Sequence, residues 1–125
     1  MGSNFRELAV WQKAHQLVLD IYKISAQFPI TEQFCMTQQL RRAAYSIPAN
    51  IAEGCSRGYA AELKRFTGIA RGSLGEVEYF LLLGKDLGYL SEEEYLALEA
   101  QCDEIGRMLN GLIKSLKGRL TIDSK

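Results

Sequence analysis

Gln39-Leu-Arg-Arg-Ala-Ala-Tyr-Ser-Ile-Pro-Ala-Asn-Ile-Ala-Glu-Gly54 reads as helix on both sides of a proline. Leu40, Ala43, Ala44, Ile47 and Ile51 recur at steps of three and four, which puts them on one stripe. Pro48 has no N–H to donate, and its ring crowds the carbonyl four residues back, on Ala44, at a cost of roughly 3 kcal/mol unless packing compensates. A proline-kinked helix over about residues 32–53 is therefore expected, with Thr31 as its cap and Gly54 as its stop. Ser46 or Asn50 is expected to bond backbone groups that Pro48 frees.

Three more helices follow from the same periodicity. Asn4 is a candidate cap for the first, with Glu7 reaching back as the third helical residue. Val10, Trp11, Ala14, Leu17, Val18, Ile21 and Tyr22 form its stripe, and Pro29 ends it near Gln27. The third helix should run from about Tyr59 to Leu87, roughly 43 Å at 1.5 Å per residue. Gly68, Gly72 and Gly75 give it a strip without side chains, at about 1 kcal/mol each relative to alanine, which the close approach of another helix would offset. Val77, Tyr79, Phe80, Leu81, Leu82 and Leu83 then surround its axis, more than one core requires. The surplus Tyr79, Phe80, Leu82 and Leu83, with the three glycines, are predicted to form a subunit interface. The fourth helix opens on Ser91-Glu-Glu-Glu94, a capping box, and closes with Lys114 and Lys117 before Gly118. Ala97, Leu98, Ile105, Leu109, Leu112, Ile113 and Leu116 are its expected buried face.

The chain has 125 residues, 47% apolar and 24% charged, which suits one domain with a real core. Residues 5–117 are assigned to it, with 1–4 and 118–125 as flexible termini. Fifteen basic and fifteen acidic residues cancel. The overall field of a dedicated nucleic-acid binder is thus absent, although charge is segregated: residues 86–104 hold seven acids and no lysine or arginine. Cys35, Cys55 and Cys102 lack a Cys-x-x-Cys pair and read as buried or half-buried thiols of a reduced, cytoplasmic protein. Neither a membrane-length apolar run nor a signal-peptide pattern is found, and no membrane partner is expected.

Few residues suggest chemistry. His15 is the only histidine and has no neighbouring ligand in sequence, so no metal or other cofactor is expected. Glu76 and Glu78, two apart on a helix, face different ways and do not make an acid-base pair. Gly54-x-x-x-Gly58 and Gly68-x-x-x-Gly72 follow no strand and precede no Lys-Ser/Thr, so neither is a phosphate loop. Ser73 sits on a helix rather than at a nucleophile elbow. No enzyme activity is expected. Arg41, Arg42, Arg57, Lys64, Arg65 and Arg71 remain as candidate phosphate contacts, Arg57, Lys64 and Arg71 recurring every seven residues. The competing reading is a solvated face, or ion pairs of Arg41 or Arg42 with Glu53 or Glu76.

With Phe5-Arg-Glu-Leu-Ala-Val-Trp-Gln-Lys-Ala14 upstream and Ile69-Ala-Arg-Gly-Ser-Leu-Gly-Glu-Val-Glu-Tyr79 downstream, the proline segment resembles a bacterial family encoded in intervening sequences of 23S ribosomal RNA, also labelled S23 ribosomal protein. The likeness runs from about Phe5 to Leu116 with the blocks in order. It implies an antiparallel, up-down four-helix bundle assembled as a homopentamer, with no settled biochemical activity. A related branch serves as accessory protein to the reverse transcriptases of diversity-generating retroelements, but that branch is much more basic than this chain. Tyr59 also departs from the pattern, since a short hydroxyl residue often starts the third helix there. Two functions are therefore carried forward: association with RNA through the six bases, and a scaffold that recruits a protein, such as a polymerase.

Overall fold

Ala14, Leu17, Ile21, Leu40, Ala44, Ile47, Ile51 and Leu109 are completely withdrawn from solvent, so the predicted stripes close on one core. The computed structural model describes residues 4–123, with side chains as far as Gly118. It comprises α1 (Ala9–Ser25), α2 (Met36–Arg57), α3 (Ala60–Asp86) and α4 (Glu92–Asp123), with 3-10 turns at Phe5–Glu7 and Ile30–Glu32. The all-α, four-helix expectation holds.

α2 and α3 share the largest interface. Its register can be read from three contacts: an added methyl on Gly54 would lie 3.0 Å from both Leu63 and Phe66, Ser46 Oγ meets Ser73 Oγ at 2.8 Å, and a methyl on Gly84 would lie 3.2 Å from Met36. Partners on α2 thus move back along the chain as those on α3 move forward. The same reversal links α3 to α4, where Lys85 lies over the Tyr95 ring, Leu74 abuts Gly106 and Arg71 reaches Asn110. α1 and α4 meet through Lys13 and Glu104 and through Asp20 and Gln101, and Gln27, just past α1, donates to Glu94.

α2 continues through Pro48, which is buried. Asn50 Nδ2 donates to the Ser46 carbonyl at 2.7 Å and to Ser46 Oγ at 3.0 Å. Asn50 therefore braces the turn around the proline, but on the Ser46 carbonyl rather than that of Ala44. Because Ser46 Oγ also meets Ser73, the brace is tied to α3.

Several boundaries differ from the sequence reading. Asn4 makes no side-chain cap bond; the chain takes a 3-10 turn, extends at Leu8 and enters α1 at Ala9. Phe5 instead packs on Trp11 at 5.0 Å, and Leu8 joins the core. Thr31 does not cap α2, because Ile30–Glu32 is a 3-10 turn and α2 starts five residues later, at Met36. Glu32 is what reaches the helix end, accepting the Met36 N–H at 3.3 Å and the Tyr89 hydroxyl at 2.9 Å. Gly54 does not stop α2. The helix ends at Gly58, whose φ of 80° favours glycine, while Gly54 is the point where α3 presses closest. Gly118 does not end α4 either, since the helix runs to Asp123 and so beyond the expected domain limit at 117. The parts of the expected flexible termini at 1–3 and 124–125 lie outside the described residues.

Side-chain placement brings further corrections. Ala97 is exposed, and the buried face of α4 includes Cys102 in addition to Leu98, Ile105, Leu109 and Leu116. Cys35 is exposed, contrary to its expected burial. Trp11 is only partly covered and Tyr22 is 41% exposed. At Ser91 the predicted box is complete: Ser91 Oγ accepts from the Glu94 N–H at 3.0 Å and Glu94 Oε1 accepts from the Ser91 N–H at 2.9 Å.

Gly54→Ala is expected to lower stability by about 1–3 kcal/mol in urea unfolding, because the Leu63 backbone cannot yield as a flexible side-chain tip would. Gly111→Ala, where a methyl meets nothing within 4 Å, should instead raise it by roughly 0.5–1 kcal/mol. Equal effects would disprove the tight approach. Ser91→Ala should cost about 1 kcal/mol by the same assay.

Candidate nucleic-acid interface

The six predicted bases are divided among three environments. Arg41 is half-buried and tied to the fold: its Nε donates to Ser25 Oγ at 2.8 Å, one terminal nitrogen to the Tyr22 carbonyl at 3.2 Å, and its guanidinium lies 4.7 Å from the Tyr22 ring. It ties α2 to the end of α1. Arg57 and Arg65 are engaged at the α2–α3 corner. Arg57 pairs with Glu53 at 2.9 Å and Glu62 at 3.6 Å, Arg65 pairs with Glu62 at 3.1 Å, and both guanidinium groups cover Phe66. Two arginines and two glutamates cancel locally. The Glu62 carboxyl is held below its usual range, mainly by the hydrogen bond from Arg65, as befits a carboxylate serving both arginines.

Arg42, Lys64 and Arg71 are left. Arg42 is exposed beside Gln39, Ser46 and Glu76 in a small depression, without an ion pair among the described residues. Lys64 is half-buried and also without one. Arg71 is exposed and donates only to a neutral amide oxygen, that of Asn110, at 3.0 Å. The predicted pairing of Arg41 or Arg42 with Glu53 or Glu76 does not occur; Glu53 takes Arg57 instead, four residues on.

Between Lys64 and Arg71 on one flank and the α2 side on the other lies the outer face of α3. A methyl added at Gly68, Gly72 or Gly75 would meet nothing within 4 Å, so among the described residues no other helix is in contact with the strip. Tyr79 is 58% exposed and Leu82 40%, while Phe80 and Leu83 are partly buried against the core and thus belong in part to the monomer.

A groove of about 610 Å³ along α2, beside the end of α1, was missed in the sequence. Tyr22, Phe34 and Tyr45 supply its rings, Arg41 and Arg42 its charge. The available signal was the spacing of Phe34, Gln38, Arg41 and Tyr45 at steps of four, three and four, a second stripe opposite the core stripe of α2.

His15 stacks flat on Trp11, with ring centres 4.9 Å apart, on the exposed side of α1. Among the described residues no cluster of His, Cys, Asp and Glu is arranged to hold a metal ion, and no helix is long and apolar enough to cross a membrane. Glu78, Glu99 and Asp103 gather along the α3–α4 seam. Burial, then Glu78, Asp103 and Glu99, push the Cys102 thiol up to about 12. Partial desolvation, then Asp103 and Glu99, raise the Glu78 carboxyl.

Four helices packed on one core, with charge arranged on their outer faces, define a small all-α bundle protein. Residues 6–111 match the family described as 23S rRNA-intervening sequence protein, and the chain belongs to that family. It is similar to a crystal structure from Bacteroides thetaiotaomicron VPI-5482, a protein of unknown function from the S23 ribosomal protein family. The TM-score is 0.78 and the identity 29%, over 85% of this chain and 99% of that one. Comparison with curated proteins finds no match.

The raised Glu78 carboxyl means that folding disfavours its ionised form. The corresponding stability is fully present below the ordinary carboxylate range and is lost as pH rises through the folded value. Glu78→Gln should therefore raise the melting temperature at pH 7, with the gain disappearing below about pH 4. A gain that persists in acid would assign the effect to something other than charge.

Proposed function

We propose that this chain is a non-catalytic, RNA-associated bundle protein of the cytoplasm. In this reading it assembles as a homo-oligomer through the outer face of α3 and touches phosphates with Arg42, Lys64 and Arg71. The observation that carries the reading is that these three charges have no carboxylate partner among the described residues, whereas Arg57 and Arg65 are already neutralised by Glu53 and Glu62. Arg41 contributes less, being tied to Ser25 and the Tyr22 carbonyl.

Assembly matters because three bases per chain make a weak site alone. Repeated around a ring, five copies by family resemblance, they give multivalent and salt-sensitive binding even though the chain has no net charge. The open glycine strip and exposed Tyr79 and Leu82 support α3 as the subunit contact. The same apolar exposure, extended by Leu87 at 50%, favours a second reading in which the face recruits a different protein, for instance a reverse transcriptase.

Binding of a labelled RNA hairpin across a salt series separates the two. RNA association predicts a steep loss of affinity with salt, and Lys64→Glu/Arg71→Glu should lower the slope by about two per engaged subunit. Absence of hairpin binding at low salt by an intact oligomer overturns the basic-stripe reading. A protein partner retained by the double variant supports the scaffold.

A further inference from the structure

The groove along α2 has a chemistry distinct from the rest of the surface. Phe34 is 78% exposed, Tyr45 47% and Tyr22 41%, an unusual concentration of ring surface left in water. Between the rings lie the side chains of Gln33, Gln38 and Gln39, and the Thr37 hydroxyl. The two ionisable side chains that carry full charge there are Arg41 and Arg42, and the lining contains no aspartate or glutamate. Glu32, the nearest acid in sequence, is engaged elsewhere by Met36 and Tyr89.

Arg41 is already positioned. Two of its donors are committed to Ser25 and the Tyr22 carbonyl, which leaves the rest of the five-donor fork for an anion, while its plane covers Tyr22. A guanidinium fixed against Tyr22 and a second at Arg42, with rings at Phe34 before α2 and Tyr45 on it, match an anionic backbone bearing flat heterocycles. Glutamine amides can donate to and accept from base edges without demanding one base.

We infer that this groove binds a single-stranded RNA segment. Phe34 and Tyr45 stack on its bases, Arg41 and Arg42 hold its phosphates, and the glutamines contact base edges. The inference rests on the RNA association proposed above but places Arg42 in a site for unpaired nucleotides on the α1–α2 side, apart from Lys64 and Arg71. Stacking is sequence-tolerant because every base has a π-face, so weak base preference and a marked preference for single strands follow.

The test compares a labelled short oligouridylate, an RNA hairpin and an oligoglutamate peptide, using the whole chain. Phe34 projects from the turn before α2 and is mostly in water, so Phe34→Ala leaves the core intact. Phe34→Ala and Tyr45→Ala should each weaken oligouridylate binding roughly 5- to 100-fold. Phe34→Trp should restore it, and hairpin binding should be unaffected. A 4-thiouridine probe should crosslink to the peptide containing Phe34 or Tyr45.

Unchanged oligouridylate affinity in both alanine variants overturns the site. So does oligoglutamate binding with the same sensitivity to Phe34→Ala, which would make the groove a receptor for acidic peptides. A change in sedimentation of Phe34→Ala would also overturn it, by showing that another subunit occupies the groove. Ring-sensitive oligouridylate binding without hairpin binding supports the groove and removes the Lys64/Arg71 stripe. No binding of either RNA removes both.

Discussion

The seam between α2 and α3 is the constraint on which the remaining packing depends. At one end Gly54 lets Leu63 and Phe66 approach so closely that an added methyl would lie 3.0 Å from each, and at the other Gly84 receives Met36. Between them Ser73, Ser46 and Asn50 form a hydrogen-bonded chain beside Pro48. Polar atoms buried without partners would be expensive, so this chain sets one register for the two helices. Close contact at both ends and directional bonding at the centre leave little freedom to slide.

With that pair fixed, the peripheral elements follow. Arg41 reaches back to Ser25 and Tyr22, attaching α1 to α2, and Tyr89, in the turn after α3, donates to Glu32 in the turn before α2. Gln27 donates to Glu94 inside the Ser91 box, so the cap of α4 also fastens α1. Side chains that position helices have fewer donors left for ligands: Arg41 commits two of its five N–H groups to Ser25 and Tyr22. Arg57 and Arg65 illustrate this most clearly, since the glutamates that satisfy them neutralise a corner that looks strongly basic in sequence.

How much of this was legible depends on whether the signal was local. The core stripe of α2 and the Ser91 box are patterns within one helix, and they emerged as read. The start of α1 was misread because Asn4 and Glu7 satisfy a capping rule locally, while Phe5 and Leu8 are drawn toward Trp11 and the core. Gly54 reads as a stop in sequence because glycine has two uses near helix ends, and only the neighbouring α3 shows that close approach is the one employed. For the candidate site, the seven-residue recurrence of Arg57, Lys64 and Arg71 was visible, but not which carboxylates would cancel part of the set.

The sequence by itself determined that the chain is all helical, that Pro48 would sit inside the second helix, and that Gly68, Gly72 and Gly75 would form one strip, because each depends on backbone chemistry and periodicity along a single segment. Tertiary structure decided which glycine is crowded and which three face open space, which arginines are consumed by Glu53, Glu62 and Ser25, and that Phe34, Tyr45 and Arg41 line one groove beside Tyr22. Those outcomes depend on how far one helix lies from the next and on the rotation of each about its axis. Side chains distant along the chain set both quantities jointly, and no local window contains them.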